Sequence, residues 1–300
     1  MRALYINYKR HKMVYWMTLP VVLYFVVFHY LPMAGIIMAF QDFSPKTGIF
    51  GSEWVGFQNF IDFFNSPNFI RVLKNTLALS LLDLLFGFPA PIILALLLNE
   101  IRARLFKRTV QTISYLPYFL STAIIAGLIH DFTSSTGPIT TMIAPLLGKT
   151  ANLLSLPEMF RTIFVSTNIW QFMGYNSIIY LAALSRVDSE QYEAAKIDGA
   201  GHWKQCIHVT IPGISSTIII MLILNLGQML NVNFEKVLLL YNSAIYETAD
   251  VISTYIYRQG ILSHNYGYST AVGLFNSVIG LLLIVSANYV SKKYSETRLF

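Results

Sequence analysis

Polar side chains that interrupt the apolar blocks of this chain are the ones whose chemistry asks for an explanation. Trp170, Gln171, Tyr175 and Asn176 fall in one such block, Asn225 and Gln228 in the next. Gln171 and Tyr175 are four residues apart and Asn225 and Gln228 three apart, so each pair shares a face if its block is helical. Amides and aromatic rims supply neutral hydrogen-bonding groups and ring faces, which suit a hydroxylated solute. Buried between helices, the same amides hold helices together at about 0.6 kcal/mol each. Spacing leaves both roles open. Asp83 is the clear ionisable group within a block, where a charge is costly and faces a cavity or a partner. As a lone acid without an intramembrane base it makes a thin proton relay, and structural pairing, with a backbone amide or a partner subunit, is the plainer reading. His29 and His130 belong to no metal-spaced pair, and the interval from His202 to His208 is not one helical turn, so no metal site is predicted. The sequence contains no GxxxxGK[ST], GxSxG or HExxH, which leaves nucleotide, ester and peptide hydrolysis without machinery in this chain.

The elements that must position these residues follow from composition. Of 300 residues, 55% are hydrophobic and only 12% charged, well below the roughly 25% charged content of a soluble domain. A bilayer is the natural solvent. Six stretches reach the roughly 20 apolar residues that a helix needs to cross a hydrocarbon core. They run about 14–40, 75–98, 109–130, 160–184, 213–234 and 267–290, the fourth being the most interrupted by polar residues. The first continues past the length of a signal-peptide core, without a small-residue cleavage site, and reads as a retained span. Arg2, Lys9, Arg10 and Lys12, then Arg102, Arg104, Lys107 and Arg108, then Arg186, Lys196 and Lys204, and last Lys292, Lys293 and Arg298 fall on one side of this arrangement. The positive-inside rule makes that side, and both termini, cytoplasmic. Arg71, Lys74 and Arg258 fall on the other side with Asp42, Glu53, Asp62, Glu247 and Asp250. The net charge of +6 is thus spread between apolar blocks, unlike the single basic face of a nucleic-acid binder. Cys206 is the one cysteine, so the chain builds neither a disulfide nor a thiolate cluster. Pro20, Pro32, Pro89, Pro91 and Pro117 lie inside apolar blocks, where each predicts a kink, for packing or to line a pathway. The expected architecture is one all-α membrane domain over residues 1–300.

Between the fourth and fifth stretches lies a segment of different character, "QYEAAKIDGAGHWKQCIHVTIPGI", residues 191–214. Asp188 and Gln191 have capping-box spacing, predicting a helix through "SEQYEAAKID", and Gly199 suits its C-terminus. A second helix, "HWKQCIHV", is expected to end near Pro212, with Trp203 and Ile207 one turn apart. Glu193, Ala194 and Ala195, then three residues, Gly199, nine residues and Val209, Thr210, Ile211 and Pro212 resemble the EAA loop of permease subunits of bacterial ATP-binding-cassette importers. That pattern reads EAA, three residues, G, nine residues, I-x-L-P; Val209 and Ile211 are conservative departures from it. The segments "VGFQNFIDFF", "FIRVLKNTLALS" and "YLPYFLSTAIIAGLIHDF" resemble carbohydrate-importer permeases. The carboxyl portion, "ETADVISTYIYRQGI" and "YGYSTAVGLFNSVIGLLLIVSANYVSKK", is most similar to their LplB-like subgroup.

The resemblance implies a type I importer permease of six transmembrane helices in a bacterial cytoplasmic membrane. It would form half of an alternating-access pathway for an oligosaccharide or polysaccharide fragment. Glu193, Ala194, Ala195, Asp198, Gly199 and Pro212 would belong to the loop, 185–212, that docks on an ATPase. The implied partners are a second, related permease, two cytoplasmic ATPase subunits that hold ATP and Mg, and an extracellular solute-binding protein. Sugar as cargo makes Trp170, Gln171, Tyr175, Asn176, Asn225 and Gln228 the candidates to line the pathway. A permease for an amino acid or phosphate, and a secondary transporter needing no ATPase, are the alternatives; the latter predicts inverted repeats or intramembrane charge pairs.

Overall fold

The computed structural model describes residues 11–148 and 151–294. Arg2, Lys9, Arg10 and Arg298, used above for orientation, lie outside the described residues, as does the side chain of Lys293. The regular structure of the described residues is helical apart from one antiparallel strand pair, Gln41–Asp42 with Glu53–Trp54. It groups into two compact units, one of Met1–Ser66 with Ile256–Phe275, the other of Pro67–Tyr255 with Asn276–Phe300.

In the first unit a helical run, Lys12–Phe40, buries nothing along Lys12–Phe25, as an apolar helix made to meet lipid or a partner should. It narrows to a tight 3₁₀ turn over Leu31–Phe40, with Pro32 at its start. The helix Gln58–Asn65 is tied below it: Asn59 donates to the carbonyls of Ala39 (3.0 Å) and Gln41 (3.1 Å), and Phe63 is fully buried against Tyr268 and Phe275.

The second unit is built on the helix Pro157–Leu184, 28 residues long and so about 42 Å at about 1.5 Å per residue. Its polar interruptions keep it out of the set of described helices that are long and apolar enough to cross a membrane, which numbers three, or up to five if each of two bent pairs counts as one. It nevertheless supplies the core, burying Phe160, Phe164 and Val165 among Leu79, Ile125, Val237 and Leu240. At Gly174 its backbone nearly touches the helix Arg104–Tyr115; a Cβ there would lie 1.9 Å from the Ser114 carbonyl oxygen. Small residues that let backbones approach are how helices associate when lipid removes the hydrophobic drive.

Two of the expected spans are not single straight helices. The third divides into Arg104–Phe119 and Thr122–Pro145, bent by 101°. Pro117 removes a backbone donor, Leu120 turns extended, and Ser121 caps the next helix by accepting from the Ile124 N–H. The fifth is preceded by His202–Gly213 at 62° and its helix, Ser215–Gln228, stops short of the expected 234. Asn233 starts a new helix there, Phe234–Leu240, by accepting from the Lys236 N–H at 3.2 Å. At the end opposite the 185–212 loop, Arg71 pairs with the buried Asp250 at 3.3 Å, and Asn75 donates to the carbonyls of Glu247 (2.9 Å) and Asp250 (3.1 Å) while accepting from Arg161 (2.9 Å). Arg71, which weakened the charge asymmetry in sequence, is thus held by an acid.

Candidate functional site

The loop between the helices Pro157–Leu184 and Ser215–Gln228 is a rigid bracket. Asp188 caps the helix Ser189–Ile197 by accepting from the Glu190 N–H at 3.0 Å. At the other end Gly199 adopts φ +75°, its N–H reaching the Lys196 carbonyl and that of Ala200 the Ala195 carbonyl at 2.8 Å. Those two bonds are a Schellman closure, which a left-handed residue makes possible. The helix His202–Gly213 then folds back: the Tyr192 hydroxyl donates to Thr210 Oγ1 at 3.0 Å, and Gln205 Nε2 donates to the Ala200 carbonyl at 2.6 Å. Gly213 lies so close to Val187 that a Cβ would approach its Cγ2 to 2.9 Å, which closes the base of the bracket.

What the bracket offers outward is a polar rim around apolar tips. Glu193, Ala194, Asp198, Gly199 and Pro212 are exposed and Ala195 is half-buried. Ile197 is 87% and Trp203 75% exposed. Ile197 was absent from the residues singled out in the sequence, although an isoleucine ending an otherwise polar short helix is a readable signal. Exposed large apolar side chains on a loop closed by its own hydrogen bonds are candidates for an interaction surface. His202 and Glu100 approach to 3.6 Å beside it. Burial, and Glu100 nearby, push the Cys206 thiol up from its ordinary pKa.

Two cavities lie among the helices of the second unit, of about 120 and 370 Å³. Both are lined by Asp83, Asn168, Phe172 and Asn225. Asn176 and Tyr180 join the smaller, Ser80, Gln228 and Asn231 the larger. Convergent polar groups beside ring faces are what a hydroxylated solute requires. The smaller cavity follows one stripe of the long helix, at 168, 172, 176 and 180, each four residues on.

Of the six residues expected to line a sugar pathway, Asn176, Asn225 and Gln228 line these cavities, and Trp170, Gln171 and Tyr175 do not. Tyr175 stacks on Tyr118, with centroids 3.8 Å apart and planes 5° from parallel. Gln171 is buried, and its Oε1 has no hydrogen-bond partner among the described residues. Trp170 is 44% exposed. Gln228 accepts from Asn231 at 3.3 Å, and Asn231 in turn accepts from Asn276 at 3.1 Å.

Asp83 is not alone. Asn168 Nδ2 donates to Asp83 Oδ1 at 3.3 Å, and Lys236 Nζ donates to Asn168 Oδ1 at 2.5 Å. Lys236 is fully buried, with its ammonium 5.1 Å from the centre of the Phe172 ring. The expectation of an acid without an intramembrane base is corrected: the base lies just past the fifth apolar stretch and the chain folds it inward. Among the described residues, no group of three or more His, Cys, Asp or Glu side chains could hold a metal ion.

Residues 87–296 match the family described as the binding-protein-dependent transport system inner membrane component. The chain belongs to that family. It is 50% identical over 293 residues to protein LplB of Bacillus subtilis (strain 168), covering 97% of this chain and 92% of LplB. It is 45% identical over 300 residues to the polygalacturonan/rhamnogalacturonan transport system permease protein YteP of the same strain, covering 100% of this chain and 94% of YteP. Its fold matches a chain of a bacterial alginate ABC transporter in complex with alginate pentasaccharide-bound periplasmic protein, with TM-score 0.90, 43% identity and 99% of each chain covered. The resemblance read from the EAA spacing is therefore a family membership, and the chain is a helical membrane permease.

Proposed function

We propose that the chain forms half of the translocation pathway of an ATP-driven importer for oligosaccharides, multi-pass in a bacterial cytoplasmic membrane, with a second, related permease forming the other half. Two ATPases carrying ATP and Mg drive it from the cytoplasm, and an extracellular solute-binding protein delivers the cargo. The six passages are Lys12–Phe40, Phe69–Glu100, the bent pair from Arg104 onward, Pro157–Leu184, Ser215–Gln228 and Tyr266–Lys292, with both ends inside.

The observation that carries the reading is the bracket: a rigid surface with exposed Glu193, Ala194, Ile197 and Trp203, joined directly to the two helices whose other faces line the cavities. A push on that surface reaches Asn168, Asn176 and Asn225 through helix backbone. The names of YteP and the alginate transporter support a polysaccharide fragment as cargo, over an amino acid or phosphate. The buried charges of Asp83 and Lys236 are a feature that a secondary transporter would also have, so ATP dependence is the deciding measurement.

The permease, its partner permease, the ATPases and the binding protein are reconstituted in vesicles with oligosaccharides from galacturonan, rhamnogalacturonan and alginate digests. Uptake is expected only with ATP and the binding protein together; uptake without ATP refutes the reading. Cysteines at Asn7 and Ser295, both outside the described residues, are expected to label from the cytoplasmic side alone, and labelling from outside refutes the topology.

A further inference from the structure

The group of Asp83, Asn168 and Lys236 has an asymmetry that an ordinary buried ion pair lacks. The ammonium is fully buried behind Asn168 and touches neither cavity, whereas the carboxylate lines both. The two charges are not in direct contact; the Asn168 amide bridges them, taking the lysine on Oδ1 and engaging only Oδ1 of the acid. Asp83 Oδ2 receives no hydrogen bond from the described residues.

Local backbone keeps this arrangement open. Asp83 begins a widened helical turn, Asp83–Gly87, closed by the Phe88 N–H reaching the Asp83 carbonyl at 3.0 Å just before Pro89. Such π turns are frequent at functional positions. The carboxylate folds over Gly87, where a Cβ would sit 2.7 Å from Oδ1. Any larger residue at 87 would move it.

We propose that Asp83 is a hydroxyl-binding carboxylate of the solute pathway, with Asn168 and Lys236 as the positioning residues that hold it. A carboxylate only accepts, and its free oxygen matches the hydroxyl donors of a sugar ring. Amides at Asn168 and Asn225 can serve the ring's acceptors, and the Phe172 face its C–H groups. Lys236 supplies a countercharge from behind, which favours the carboxylate form of the acid without placing a cation in the passage. The chemical class recognised is the hydroxyl face of a sugar, whatever charge that sugar bears elsewhere.

The inference rests on the importer reading, and the test separates the two. The reconstituted complex is assayed with the digest oligosaccharide that wild type takes up; if wild type takes up none with ATP, the importer reading fails and this one with it. The double variant Asp83→Asn with Lys236→Met removes both charges, so a purely structural pair should be dispensable together. The expected result is normal assembly, ATP hydrolysis still stimulated by loaded binding protein, and uptake reduced at least tenfold. Uptake at the wild-type rate overturns the proposal. If the double variant does not assemble, Asp83→Glu decides: it keeps the charge pair but displaces the oxygens, and is expected to raise KM for uptake severalfold with assembly unchanged. A wild-type KM in that variant overturns the proposal.

Discussion

Gly199 isolates the conformational part of the proposed coupling surface. Its φ is +75°, and a Cβ built on it meets nothing within 4 Å. Gly199→Ala therefore introduces no clash, and its entire cost is that of a left-handed backbone, roughly 1–2 kcal/mol for an L-residue. Each 1.4 kcal/mol is about tenfold in an equilibrium, so association with the ATPase is expected to weaken by up to about 5- to 30-fold. The Schellman bonds to Ala195 and Lys196 are what the strained loop gives up, and with them the angle between the helix that carries Ile197 and the helix that carries Trp203. Gly199→Asn is the control: asparagine enters the left-handed region far more readily, so it should bind close to wild type although its side chain is larger. Affinity of the purified permease pair for the ATPase, by titration in detergent, reads both variants. The reasoning is refuted if alanine binds as tightly as glycine, or if asparagine is as poor as alanine.

Other variants probe the frame. Gly174→Ala puts a methyl 1.9 Å from the Ser114 carbonyl oxygen, so the two helices must part; overpacking of this kind costs about 1–3 kcal/mol, and a wild-type thermal midpoint in detergent would contradict the packing described. Asn75→Ala strips the carbonyls of Glu247 and Asp250 of a donor and Arg161 of an acceptor, a loss of about 1–3 kcal/mol expected as earlier thermal unfolding, and unchanged stability would count against that network. For Cys206 the sign follows from its causes: a raised thiol pKa means less thiolate at a given pH and slow alkylation. Glu100→Gln removes one cause, so alkylation at fixed pH should quicken and its pH profile move to lower pH; an unmoved profile would show that burial acts by itself.

Local physics is what the sequence alone determined. The apolar stretches, the cap at Asp188, the bend at Gly199 and the EAA spacing depend on neighbours within a turn or two and on whether a segment prefers water or lipid. They were legible for that reason, and they carried the family. Helix bends were half legible: Pro117 announced a break, but the 101° between its two arms depends on what each arm packs against. The cavity lining was least legible. Each residue along a helix turns the face by about 100°, so Gln171 and Asn168 or Asn176 look equally eligible until the neighbours of the helix are known. Only tertiary packing set the stripe at 168, 172 and 176 toward the cavities and turned Tyr175 onto Tyr118. It also brought Lys236 to Asn168, 68 positions away, and through it to Asp83. A charge beyond the end of an apolar stretch reads as solvated; the chain buried it because the folded helices offered an acid and an amide to receive it.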